Sequence, residues 1–232
     1  MPPWPSRFCC DEDLALLGYD GRGAEDDLAT WRSRGPHPAT QELIDVIRAQ
    51  GVVGTALLDI GAGVGVVHTA LLEAGAATAV DVDASREYLT TARREAERRG
   101  LADRVEYRYG DVVELGAELP AADIVTLDSV ICCYPYLPAL LEAALRPGPR
   151  LVGLTYPRDT WWMRGYMRLW NLGHAVRRSP ARYFIYRQAE VNRLMAEAGF
   201  VTAHEGGTLA WRVVVYRRLR PKDVAHRRSK EL

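Results

Sequence analysis

From residue 40 onward, short unbroken apolar runs alternate with amphipathic stretches. Ala56 to Ile60 carries a single charge, Asp59, which is the pattern of a strand buried on both faces. Thr78 to Val82, Val105 to Tyr109, Ile124 to Leu127 and Arg150 to Thr155 read as the following strands. Between these runs, Val64 to Glu73, Ser85 to Arg99 and Pro138 to Leu145 have helical periodicity, the first two stopping at Gly75 and Gly100. A further helix is predicted ahead of the first strand, over Gln41 to Gln50. Leu43, Ile44 and Ile47 form its stripe, Thr40 is its expected cap and Gly51 its stop. The βαβα order predicts a doubly wound α/β domain, a mostly parallel sheet with helices on both faces and ligands beyond the carboxyl ends of the strands. Ala189 to Ala198 reads as the last helix. Phe200 to His204 and Leu209 to Arg217 follow, parted by Glu205-Gly206-Gly207, and predict a closing antiparallel hairpin.

The flanks are less regular. Residues 1–38 are broken by prolines and glycines and read as an arm or lid with a short helix around Glu25 to Ser33. The domain proper is expected over 39–217, with an aromatic-rich insertion at about 157–187. Within it Trp162, Tyr166 and Trp170 recur every four positions, as do Met163 and Met167. Packing or a lid against the domain, a hydrophobic acceptor pocket and contact with a membrane surface are three readings of this stretch. Residues 218–232 are basic and read as a frayed tail.

Composition narrows the function classes. Thirty basic and thirty acidic residues give a formal net charge of zero, which argues against a dedicated nucleic-acid binder. The four cysteines form two adjacent pairs, Cys9-Cys10 and Cys132-Cys133. That is neither a disulfide framework nor a C-x-x-C zinc spacing, so reduced thiols and no metal are expected. No basic-then-apolar leader and no run of about 18 apolar residues is visible, so a cytoplasmic protein is expected.

Chemistry concentrates at the predicted strand ends. Leu57-Leu58-Asp59-Ile60-Gly61-Ala62-Gly63-Val64-Gly65 leaves a strand and opens a helix. Its glycines permit a tight turn and a close approach of backbone to ligand. The dinucleotide fingerprint would put its third small residue at position 66, which is valine, so an NAD-dependent oxidoreductase is disfavoured. Asp81 stands at the end of the next strand, where a carboxylate accepts both hydroxyls of a ribose; Asp83 competes for that role or caps the next helix, as Ser85 could. Gly110-Asp111-Val112 follows the third strand, with Asp111 placed to accept from an adenine amine and Val112 to meet the ring face.

These elements, in this order, resemble the class I methyltransferases that use S-adenosylmethionine (SAM). The segment from Asp123 to Ile131 is similar to their fourth strand, and Leu145-Arg146-Pro147-Gly148 to the turn before their fifth. The resemblance implies a seven-stranded sheet with its last strand antiparallel, SAM as cofactor and S-adenosylhomocysteine (SAH) as product. It implies a cofactor set of Asp59, Gly61, Ala62, Gly63, Gly65, Asp81, Val82, Asp83, Gly110, Asp111, Val112 and Asp128. The nearest group within it acts on small molecules, as the quinone- and porphyrin-pathway O-methyltransferases do, which implies a small, partly hydrophobic acceptor. Cys133 stands where many of that group carry a histidine, and the N-P-P-Y signature of many N-methyltransferases is absent. Tyr134 and His37 are the catalytic candidates; Tyr136, Tyr156, Arg158 and Trp161 are the acceptor candidates. A non-catalytic SAM-binding protein on the same fold is the competing reading.

Overall fold

The computed structural model describes residues 19–176 and 182–219. The cysteine pair at 9–10 and most of the basic tail lie outside the described residues. Seven strands form one sheet in the order β3-β2-β1-β4-β5-β7-β6. They are β1 (Ala56–Ile60), β2 (Thr78–Asp83), β3 (Val105–Tyr109), β4 (Ile124–Asp128), β5 (Leu151–Pro157), β6 (Phe200–Gly207) and β7 (Trp211–Arg218). The first five are parallel, and β7 runs antiparallel to both β5 and β6. The strand order reverses between β1 and β4, which opens a crevice at their carboxyl ends.

Eight helices surround the sheet among the described residues: α1 (Gly21–Arg34), α2 (Pro38–Ala49), α3 (Val66–Glu73), α4 (Arg86–Arg98), α5 (Val112–Leu115), α6 (Leu137–Leu145), α7 (Trp161–Val176) and α8 (Gln188–Glu197). One core joins α6 and α8 to a sheet face through Leu137, Leu140, Leu141, Val191 and Met195. The other joins α2 and α3 to the opposite face through Leu43, Ile44, Ile47, Val67 and Leu71. The inner strands β1, β2, β4 and β5 are largely apolar because both of their faces are covered, whereas the edge strands β3 and β6 are only partly buried.

Several elements differ from the sequence pattern. The helix expected at 25–33 is longer, because Asp20 caps it by accepting from Gly23 N at 2.8 Å. His37, not Thr40, caps α2, its Nδ1 accepting from Ala39 N at 3.3 Å. Proline at the first turn moves the start of α2 back to residue 38, and the Thr40 hydroxyl is left to bond elsewhere. Glu205, Gly206 and Gly207 extend β6 and do not form the hairpin turn, since the Glu42 carboxylate accepts from Gly207 N at 3.0 and 3.1 Å. The turn is instead closed by Thr208 N donating to the Trp211 carbonyl at 2.8 Å. The insertion holds a full helix, α7.

Two contacts set the position of the elements that reach the crevice. Alpha-helix α2 lies close on β5 because Gly153 has no side chain: a Cβ there would stand 2.7 Å from Leu43 Cδ1 and 2.9 Å from Ile47 Cδ1. Helix α1 is tied to α4 by Glu95, a fully buried carboxylate that takes hydrogen bonds from Arg32, Arg98 and Arg99. Those hydrogen bonds, Arg98 foremost, hold the Glu95 carboxyl well below its usual range.

Gly153→Ala is expected to destabilise the protein by roughly 1–3 kcal/mol through overpacking, read from urea unfolding. Glu95→Gln is expected to cost roughly 1–3 kcal/mol at neutral pH. In the wild type this contribution is present above the ordinary glutamate range and is lost on acidification below it. Unfolding curves of the two proteins should therefore converge as the pH falls.

Candidate functional site

The site is built around Asp59, next to last in β1. Its carboxylate accepts from Thr126 Oγ1 of β4 at 2.6 Å, and from His68 N and Nδ1 of α3 at 3.2 and 3.0 Å. It therefore joins two neighbouring strands to the first turn of the following helix. The chain between runs through Gly61, Gly63 and Gly65, all left-handed, with φ of 61°, 59° and 84°. Gly61 N donates to the Val82 carbonyl at 2.7 Å, which pins the turn to β2. A Cβ on Gly61 would stand 2.6 Å from Val130 Cγ2, whereas one on Gly63 would have only the Tyr88 ring at 3.8 Å. The turn is a cradle, closed behind Gly61 and open above Gly63.

The Asp83 carboxylate, at the end of β2, closes the next side. Gly63 N donates to it at 3.1 Å and Ser85 N at 2.8 Å. Burial pushes its carboxyl up to about 6 against these stabilising amides. At the end of β4, Asp128 accepts from Thr40 Oγ1 at 2.6 Å and from Thr155 Oγ1, and burial raises its carboxyl above the usual range. A cavity of about 370 Å3 lies between these walls. Gly61, Ala62, Gly63, Val64, Asp83 and Ala84 line one part; Asp128, Ser129, Val130, Cys133 and Tyr134 line another. The cover comes from the segment ahead of the sheet: Tyr19, Asp27, Thr30 and Trp31 around α1, then Pro36, His37 and Thr40. Four aspartates, Asp27, Asp59, Asp83 and Asp128, line the cavity, and no lysine or arginine does so among the described residues.

The structure brings Asp59, Gly61, Ala62, Gly63, Asp83, Asp128, His37 and Tyr134 together at this cavity. It moves the remaining candidates elsewhere. Asp81, the preferred ribose ligand of the sequence reading, lies one strand repeat deeper than Asp83, fully buried, and neither carboxylate oxygen meets a partner. Burial, then the charges of Asp83 and Asp59, push its carboxyl far up. The carboxylate that reaches the cavity is Asp83. Val82 is core, and Gly65 serves as the left-handed cap of α3. Gly110 N binds the Asp83 carbonyl at 3.0 Å, Val112 is buried, and Asp111 caps α5 and accepts from Tyr134 Oη at 2.9 Å. None of these three lines the cavity. Tyr156 is a core residue because β5 runs two residues further than its apolar run suggested; its hydroxyl binds Gln188. Arg158 ties the hairpin by donating to the Thr208 and Gly206 carbonyls at 2.7 and 2.8 Å. Tyr136 starts α6 half-exposed, and Trp161 is exposed on α7. The sequence reading missed Trp31, Thr30 and Asp27, whose only signal was a short amphipathic stretch in the acidic arm.

Residues 58–148 match the family model of a methyltransferase domain. Over that segment the chain carries a methyltransferase domain. Among solved structures, magnesium protoporphyrin IX methyltransferase from Synechocystis PCC 6803, with bound SAH, is 18% identical with a TM-score of 0.69, over 90% of this chain and 100% of that one. An O-methyltransferase family protein from Burkholderia thailandensis is 16% identical with a TM-score of 0.69, over 92% and 64%. A protein described as an RNA methyltransferase from Pyrococcus horikoshii is 17% identical with a TM-score of 0.59, over 81% and 87%. These likenesses show the fold. No curated protein matches the chain in sequence.

The cavity fits the cofactor: the open cradle at Gly63 admits close backbone contact, and Asp83 presents acceptor oxygens where two ribose hydroxyls can donate. Asp83→Asn is expected to weaken SAH binding about tenfold or more, and Asp81→Asn to leave it within about twofold, by titration calorimetry. The acceptor form of Asp83 is the carboxylate, so SAH affinity should be constant above pH 6 and fall below it by up to about tenfold per unit. The free protein moves the other way. Folded Asp83 keeps its proton to about 6 against an ordinary 3.8, so its contribution to stability is lost as pH rises through that window.

Proposed function

We propose that this methyltransferase moves a methyl group from SAM by in-line displacement to a small, partly hydrophobic acceptor that is neutral or cationic. The observation that carries this reading is the character of the cavity: aromatic and apolar cover from Trp31, Pro36 and Tyr134, four aspartates, and no lysine or arginine among the described residues. Such a lining repels phosphate-rich acceptors and suits an apolar body with a polar handle. The zero net charge of the chain points the same way. The fold is shared with a methyltransferase named for magnesium protoporphyrin IX and with one described as acting on RNA, so the fold does not choose between them.

SAM supplies a methyl group already activated on a sulfonium, so holding the reactants in line accounts for much of the acceleration. Tyr134 has a fixed place on the cavity wall because its hydroxyl donates to Asp111 at 2.9 Å. His37 uses its Nδ1 lone pair to cap α2, which puts the ring proton on Nε2 and makes His37 a donor that orients the acceptor. Its ring is held edge-on to Trp211, with 6.1 Å between centroids. Asp128 is the group able to accept a proton from an acceptor that must lose one.

The reading is tested by radiolabel transfer from SAM to a panel of apolar amines and phenols, with tRNA alongside. Transfer to a member of the small-molecule panel is expected. With that acceptor, Asp128→Asn should lower kcat/KM by about a hundredfold while leaving SAH affinity nearly unchanged. Tight SAH binding without transfer to anything would favour a non-catalytic SAM-binding protein, and transfer to tRNA alone would contradict the acceptor class.

A further inference from the structure

Helix α7 is amphipathic in an unusual sense. One side is pinned to the protein: Met163 is buried, Arg164 pairs with Asp159, and Asn171 exchanges hydrogen bonds of 2.8 and 2.9 Å with the backbone of Tyr183. The other side carries Trp161, Trp162, Leu169, Trp170, Leu172 and Val176, all exposed, Trp161 at 85%, Val176 at 77% and Leu169 at 70%. At 3.6 residues per turn these positions, with Tyr166 and two glycines, fill about half the helix circumference without a charged side chain. Isolated exposed apolar residues are ordinary; a continuous face of this size marks an interaction surface.

The charge of this stretch of sequence points to the partner. From Thr160 to Ala189 the sequence holds six arginines and no aspartate or glutamate, in a chain whose totals balance. Arg168 borders the apolar face and is exposed. Tryptophan, tyrosine and leucine on one face with arginine at the margin is the composition that settles at the boundary of headgroups and acyl chains. No helix among the described residues is long and apolar enough to cross a membrane, so α7 would lie along the surface. The helix is also connected to the site: the Trp170 ring packs against Tyr183, 6.3 Å between centroids, and Tyr183 neighbours Tyr19 and Cys133 at the cavity.

We propose that the exposed face of α7 docks the protein on an anionic lipid surface. The test is flotation of the full chain with vesicles of phosphatidylcholine containing phosphatidylglycerol, and with phosphatidylcholine alone. The wild type should float with the anionic vesicles, release as salt is raised, and show quenching of tryptophan emission by brominated lipid. A Trp161→Gln, Leu169→Gln, Leu172→Gln variant should lose partitioning by on the order of tenfold or more, with SAH affinity kept as evidence of folding. Arg168→Gln should weaken binding to anionic vesicles only. The proposal is overturned if the wild type stays with the dense fraction and its tryptophans are not quenched. It is equally overturned if the triple variant floats as well as the wild type. A wild-type dimer that ignores lipid and dissociates in the triple variant would assign the face to a second copy of the chain. None of these readouts depends on the nature of the methyl acceptor.

Discussion

Everything at the cofactor end of this protein depends on one buried carboxylate. Asp59 holds β4 through Thr126 and the first turn of α3 through His68. The glycine turn between β1 and α3 is thereby fixed at both ends, and it can be left-handed at Gly61, Gly63 and Gly65 because those residues have no side chains. Burying a carboxylate to 1% exposure costs less when its oxygens are satisfied, and here Thr126 and His68 meet both of them. The cradle above Gly63 is a consequence of that arrangement, and so is the place of Val130, whose side chain backs the turn.

The second layer of the site is assembled from outside the parallel sheet. Helix α1 reaches the cavity with Trp31 and Asp27 because Glu95 draws Arg32 down onto α4. Tyr88 Oη donates to Asp27 at 2.7 Å and gives a further link between the same two helices. Helix α2 reaches it with His37 and Thr40 because Gly153 lets the helix approach β5. Thr40 then binds Asp128, so the cover and the strand ends share a hydrogen bond. A cavity formed this way has acidic and aromatic walls that come from four separate parts of the chain. Its negative lining suits a sulfonium cofactor and disfavours polyanions.

Much of this was legible in the sequence, for physical reasons. Parallel strands covered on both faces are largely apolar runs, so β1, β2, β4 and β5 were visible to within two residues at each end, and β3 was placed by its position between a helix stop and Gly110. The Asp59 to Gly65 motif was visible because a left-handed backbone strongly favours glycine, which recurs at 61, 63 and 65. The choice between Asp81 and Asp83 was not. In a strand the two share a face, and they differ only by two residues of rise, roughly 7 Å, in depth. Which one reaches the cavity depends on where β2 ends, and pairing with β3 carries it on to Asp83. Tyr156 was misplaced for the same reason, since pairing with β7 prolongs β5. The role of α1 was hidden because its burial comes from long-range contacts and not from its own weak periodicity. In α7 the aromatic spacing was plain, but it could not say that the aromatic side would face outward.

The most direct test of the account is a crystal structure with SAH. The account predicts the two ribose hydroxyls on the Asp83 carboxylate, with the nucleoside passing close above Gly63 and Asp81 remaining buried and untouched. A ribose held by any other group, or density that leaves the space above Gly63 empty at saturating SAH, would contradict it.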